Sequence, residues 1–224
     1  MISLFNGFLF GILTLLLSEP AGSSIFNIDI ASTDKHAQHL LITTEPEGAM
    51  SSCSATAISK NTLLTASHCT DGKILAFYAG GDKITIVGDV VNDGNDHALV
   101  TVSKEFKSWA CFSPSHPRRG EVVYIIGSPL GWEGLLRVGY LSGFYNGYTL
   151  LDMNIWFGDS GAGVFNTKGK IVGVVSVGVV VPQQDKTKPG TFQLAAISPF
   201  KFSKEQLTAV GVSKKCIGIG AKRD

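Results

Sequence analysis

Apolar positions along this chain come in short runs, rich in β-branched and aromatic residues and separated by Gly, Asn, Asp and Pro. The runs are Leu40 to Thr44, Ser54 to Ile58, Thr62 to Thr65, Ile74 to Tyr78, Lys83 to Val91, Ala98 to Val102, Glu121 to Gly127, Leu135 to Phe144, Gly163 to Phe165, Ile171 to Val181 and Thr191 to Ile197. Long helical periodicity is absent. Short strands at regular spacing, with turn signals between them, predict an all-β sandwich or barrel. The polar, proline-bearing segment from Phe112 to Gly120 reads as a linker between two halves. The division this suggests is a leader over 1–23, a first β half over 24–112, a linker over 113–120, a second β half over 121–202, and a short helix and tail over 203–224. The helix is read from Ser203-Lys204-Glu205-Gln206, which fits a capping box, followed by Leu207, Val210 and a stop at Gly211.

One apolar run differs from the rest. Ile2 to Leu17 is almost entirely apolar or small, short for a membrane span of ~20 residues and suited to a signal-peptide core. Ala21-Gly22-Ser23 supplies small residues for cleavage, with Ser23 the last residue removed. No Lys or Arg precedes the run, so an uncleaved anchor and a buried strand or helix are the alternatives. Four cysteines fit export, and a secreted or extracytoplasmic location is expected. Cys53 and Cys69 flank what reads as two strands and a turn; a bridge between them would fix the loop that carries His68, and closing a loop of that size is worth ~3 kcal/mol in the chain-entropy model. Cys111 and Cys216 are either a second bridge or two buried thiols.

Composition narrows the function. With 44% hydrophobic and 17% charged residues, the 224-residue chain can bury a core and is not disordered. A formal net charge of +1 gives no sign of a nucleic-acid surface. Membrane contact is expected only if the N-terminal segment stays attached. No His/Cys cluster has metal-ligand spacing, so neither metal nor cofactor is expected, and the protein is expected to be a monomer.

The candidate chemistry lies in three segments. Phe157-Gly158-Asp159-Ser160-Gly161-Ala162-Gly163 presents a serine on a glycine-flanked turn. The N–H groups of Gly158 and Ser160 can point into the same space and hold a developing oxyanion. A serine hydroxyl is a poor nucleophile at neutral pH; it needs a base in hydrogen-bond reach, and the base needs an orienting partner. His68, in Thr65-Ala66-Ser67-His68-Cys69, is the candidate base. Asp96, in Asp96-His97-Ala98-Leu99-Val100, is the candidate orienter. The order His, Asp, Ser is one of the known orders for this geometry. Asp93 lies in the same loop and is an alternative orienter. His97 is an alternative base, although one residue along a strand it should face away from Asp96. His36, His39 and His116 lie in polar segments and read as exposed.

These segments resemble the trypsin/chymotrypsin-like serine peptidases. Thr-Ala-Ser-His-Cys is similar to that family's Thr-Ala-Ala-His-Cys, Asp-His-Ala-Leu-Val to its Asp-Ile-Ala-Leu-Leu, and Gly-Asp-Ser-Gly-Ala-Gly to its Gly-Asp-Ser-Gly-Gly-Pro. Ile171 to Gly178 is similar to the strand on which the family's substrate backbone pairs, and Lys188 to Phe192 to the strand after it. Arg119 to Gly131 looks more like the HtrA-type bacterial members. The resemblance spans about residues 40–200. It implies two six-stranded antiparallel β-barrels with the catalytic residues in the cleft between them, and a serine endopeptidase acting on polypeptides. It also implies substrate-binding roles for Asn154 at the pocket base, for Ser176, Val177 and Gly178 on the pairing strand, and for Gly190. Asn154 carries no charge, so a strong preference for Arg or Lys is not implied.

The chain departs from the pattern in places. The Ile-Val-Gly-Gly start, whose freed amine pairs in the digestive enzymes with the acid before the catalytic serine, is missing, so Asp159 has no evident partner in the sequence. Val177 stands where the family has a tryptophan. Two other readings stay open: a protease-fold binding protein without turnover, and a viral or polyprotein-processing peptidase of the same chemistry. A neutral His68 must act as base, so activity is expected to rise through roughly pH 6–7.

Overall fold

The computed structural model describes residues 37–43, 50–71, 77–79, 82–181 and 191–220. The proposed leader and Gly190 lie outside them. The first half carries β1 (Ala37–Thr43), β2 (Met50–Ala57), β3 (Thr62–Thr65), β4 (Phe77–Ala79), β5 (Asp82–Ile84), β6 (Ile86–Asn92) and β7 (Ala98–Val102). The second carries β8 (Val122–Gly127), β9 (Leu135–Tyr145), β10 (Tyr148–Asp152), β11 (Gly163–Asn166), β12 (Ile171–Val174), β13 (Val177–Val181) and β14 (Thr191–Ile197). A short helix, α1 (Lys204–Ala209), follows, closed by the expected capping box: Ser203 Oγ accepts from the Gln206 N–H and Gln206 Oε1 accepts from the Ser203 N–H.

The fold is mostly β, with two main antiparallel sheets. Strand order is β1-β2-β3-β7-β6 in the first and β12-β11-β8-β9-β10-β14-β13 in the second, with β4 and β5 as a separate hairpin. Among the described residues this is a five-stranded and a seven-stranded sheet, where two six-stranded barrels were expected, and no ladder joins the outer strands of either sheet. Two long apolar runs are also broken. Lys83 to Val91 falls into β5 and β6, and Ile171 to Val181 into β12 and β13. The second break has a clear cause: Val175 N–H bonds the Ala162 carbonyl beside β11, whereas Ser176 N–H bonds Ala196 on β14. The chain changes partner strand at that peptide.

Alternation along β8 and β11 joins the halves. Val123, Ile125 and Val164 enter one apolar core of the second half. Tyr124 and Phe165, pointing the other way, enter a larger core shared with Leu63, Leu64 and Leu99 of the first half. The two rings stack with centroids 5.5 Å apart and are fully buried. The start of the linker and the C-terminal residues close the same core. Ser113 accepts from the Ile219 N–H at 2.8 Å, and Cys216 is bonded to Cys111. The 203–220 stretch is therefore packed structure, with Leu207, Cys216 and Ile219 all buried.

Candidate active site

His68 sits where β3 gives way to a turn. Ala66 is still extended, with φ −75° and ψ 144°, and Ser67–Cys69 form one 3₁₀ turn. The Cys53–Cys69 disulfide ties that turn to β2. Asp96 lies in the loop between β6 and β7 with φ 65°, a left-handed conformation that Asp tolerates better than most residues. The two meet closely: His68 Nδ1 is 2.9 and 3.0 Å from the two Asp96 carboxylate oxygens. The same carboxylate accepts from the His68 backbone N–H at 3.1 Å and from Ser67 Oγ at 3.0 Å. Ser67 N–H in turn bonds the Asp96 carbonyl at 3.2 Å.

This arrangement fixes the ring. With Nδ1–H donating to a carboxylate, Nε2 is left as the basic nitrogen. The Asp96 bond raises the His68 pKa, against burial, with the charges of Asp96 and Asp71 adding to it. Burial pushes Asp96 up, but the His68 ring, its backbone N–H and Ser67 outweigh it, and its pKa is lowered. The two shifts agree in sign: the pair favours imidazolium beside carboxylate.

The serine loop is held by β2. Ser54 N–H donates to the Ser160 carbonyl at 2.7 Å, and Ser54 Oγ donates to the Gly158 carbonyl at 2.8 Å while accepting the Ser128 N–H at 2.9 Å. Gly161, at φ 84°, is required: a Cβ there would collide with the Ser54 carbonyl and Thr65 Oγ1. Gly158, at φ 103°, is equally constrained by the Ser128 carbonyl. Phe157 carbonyl accepts the Leu130 N–H at 2.7 Å. A trans peptide sets its C=O and N–H on opposite sides, so this bond turns the Gly158 N–H away from Leu130. Among the described residues, neither the Gly158 nor the Ser160 N–H donates to a protein acceptor.

Asp159 has a partner after all. Its side chain has no exposed surface, and Oδ1 pairs with Arg137 Nη1 of β9 at 2.8 Å while Oδ2 accepts the Trp156 N–H at 2.7 Å. Burial pushes its pKa up, and the Trp156 N–H and the Arg137 charge work against that rise. The sequence held a signal for this pairing, since Arg137 is the only charged residue in the apolar run from Leu135 to Phe144. Ser54 gave no such signal, being one more small residue in a strand.

The structure therefore brings His68 and Asp96 into contact and ties Ser160 by its backbone to the strand carrying Cys53. No hydrogen bond joins the Ser160 hydroxyl to the His68 ring among the described residues. Asp93 and His97 are bonded to each other and not to His68. His116 is exposed as expected, while the side chains of His36 and His39 lie outside the described set. Asn154 is exposed, between buried Met153 and Ile155. Ser176 is buried, and Val177 and Gly178 open β13, which pairs with β14. Among the described residues no group of three His, Cys, Asp or Glu side chains is placed to hold a metal ion.

Solved structures of known proteases share the fold. The solved structure of the Rv3671c protease from M. tuberculosis in its active form is similar, with TM-score 0.66 and 17% identity, covering 90% of this chain and 92% of that one. Its inactive form gives 0.60 and 17%, covering 81% and 92%. An HtrA-type protease solved with a tripeptide gives 0.62 and 18%, covering 84% of this chain and 64% of that one. At these identities the likeness is one of fold. No curated protein matches by sequence. The sequence profile of the trypsin-like peptidase domain matches residues 53–174, more than half of the chain and including all three candidate segments. The chain belongs to the trypsin-like peptidase family.

Proposed function

We propose that the protein is a serine endopeptidase working through an acyl-enzyme. The observation that carries this reading is one arrangement: His68 Nδ1 held by both oxygens of Asp96, and the N–H groups of Gly158 and Ser160, unbonded among the described residues, on a loop tied to the strand that anchors the His68 turn. Ser160 Oγ attacks the scissile carbonyl as His68 Nε2 takes its proton. Asp96 steadies the imidazolium, and the Gly158 and Ser160 N–H groups hold the oxyanion. The tetrahedral intermediate collapses, His68 gives its proton to the leaving amine, and a water deprotonated by His68 then frees the acyl group. The bond between Ser160 and His68 forms only with substrate in place, as such bonds commonly do.

The substrate is a polypeptide, paired as an added strand along Ser176, Val177 and Gly178, with Asn154 and Gly190 shaping the pocket for a side chain that is neither Arg nor Lys. Each main sheet curls as one barrel, and the cleft lies between them. The two disulfides suit a secreted or extracytoplasmic protein released from its leader, acting as a monomer.

A fluorophosphonate probe tests the reading. The mature protein should be labelled at Ser160 and should cleave peptides from a library; Ser160→Ala should abolish both. A folded protein that neither labels nor cleaves is a binding protein of the same fold.

A further inference from the structure

A second Asp–His–Ser array lies beside the first, in the loop that carries Asp96. Asp93 Oδ2 is 2.7 Å from His97 Nδ1, and neither side chain has exposed surface. His97 Nε2 is 3.2 Å from Ser198 Oγ, just beyond β14 in the other half of the molecule. The Ser198 hydroxyl donates to the Asn95 carbonyl at 2.6 Å. That commits its single proton, so Ser198 Oγ has no hydrogen to give to His97. Ser198 is 7% exposed. With its proton given away and its oxygen covered, it is no nucleophile. The array is a brace.

What it braces is Asp96. The loop is stitched to the strand end across the halves by the Asn95 side-chain N–H on the Pro199 carbonyl at 2.6 Å and by the Lys201 N–H on Asp93 Oδ2 at 2.8 Å. Within the loop, Asp93 Oδ1 accepts from the Asn95 and His97 N–H groups at 2.8 and 3.2 Å. Phe200 and Phe202 close over the His97 ring, with centroids 4.5 and 6.3 Å away. Asp96, in its left-handed conformation, is thus the one residue between two held neighbours. We infer that Asp93, His97 and Ser198 are positioning residues: through Asn95 and His97 they hold Asp96 where its carboxylate can grip His68, and they make that grip depend on the docking of the two halves. This rests on the reading of Asp96 as the residue that orients His68.

The test follows the grip itself. In the Ser160→Ala protein, which turns nothing over, the His68 ring is titrated by NMR with and without Ser198→Ala; the charged groups that face it are Asp96 and Asp71. The midpoint should fall from its raised position toward the ordinary imidazole value. In the active protein Ser198→Ala should lower kcat by between about 10- and 100-fold with KM little changed, the cost of a small misplacement, and Ser198→Thr, which keeps the hydroxyl, should recover it. Asn95→Ala, at an exposed bond, should move both quantities the same way and serves if Ser198→Ala does not fold. A folded variant with an unmoved His68 midpoint and kcat overturns the inference. If no protein labels or cleaves, the endopeptidase reading has failed, and the NMR titration still decides on the brace.

Discussion

Arg137→Met isolates a charge pair that supports the Ser160 loop. Asp159 has no exposed surface and Arg137 only 17%, and their contact is 2.8 Å. Removing one partner of so buried a pair leaves the other uncompensated, at a cost of about 3–5 kcal/mol. A carboxylate has an escape, which is to protonate. Its pKa is already pushed up by burial, and without the guanidinium beside it moves further up. An acid whose folded pKa is raised contributes stability while protonated and loses it as pH rises through the folded value. The defect of Arg137→Met should therefore be small at pH 5 and larger at pH 8.

At the higher pH, about 3 kcal/mol against the native loop is roughly a hundredfold in its population at about 1.4 kcal/mol per tenfold. A fall in kcat/KM of about that size is expected. Urea melts at the two pH values and kcat/KM on a cleaved peptide measure both effects. Adding Asp159→Asn removes the stranded charge and should restore most of the stability. A variant with parental kcat/KM and urea midpoint at pH 8, or a loss equal at both pH values, would refute the argument.

Other consequences follow from the same geometry. Because Asp96 raises the His68 pKa, and the neutral ring is the base, the acid limb of the pH–rate profile should lie above the ordinary imidazole value; Asp96→Asn should shift it down and lower kcat on the order of 10⁴-fold. Replacing both Cys53 and Cys69 by Ser should cost ~3 kcal/mol in a denaturant melt and reduce activity as well, since the bridge anchors the His68 turn. Gly161→Ala forces a Cβ into the Ser54 carbonyl at φ 84°, and the loss should be roughly 3 kcal/mol or more, read as a lowered Tm. Leu130→Gly keeps the N–H that holds Phe157 but relieves a φ of 53° on a residue 62% exposed; stability should rise by about 1 kcal/mol with kcat unchanged.

What could be read in the sequence was what short segments encode by themselves. The turns around His68, Asp96 and Ser160 need particular residues side by side, glycine where φ is positive and an acid where the backbone turns left-handed, so they appear as contiguous words. So does the cap at Ser203 and Gln206. Strand runs were legible as apolar stretches, but an apolar stretch does not say which neighbour it pairs with; the change of partner between Val175 and Ser176 is invisible in eleven residues of Val, Ile, Gly and Ser. His97 was expected to face away from Asp96 by strand alternation. It does not bond His68, but the strand begins only at Ala98, and what directs the ring is Asp93.

The pairings that were missed share one property: each joins distant parts of the chain. Asp159 and Arg137 are 22 residues apart, Ser54 and Gly158 are 104 apart, and Ser198 and His97 are 101 apart. None has a local pattern to betray it. Yet a lone charge in an apolar strand and a polar pair in a buried loop are each costly unless matched, so each signals that a partner must exist without saying where. The lack of an Ile-Val-Gly-Gly sequence ahead of the first strands was such a signal for Asp159. Its answer is a guanidinium delivered by a strand of the same half. The contact that supports the Ser160 loop is complete in the chain as it folds, so activity should accompany the native state without a cleavage that frees a new amine to pair with Asp159.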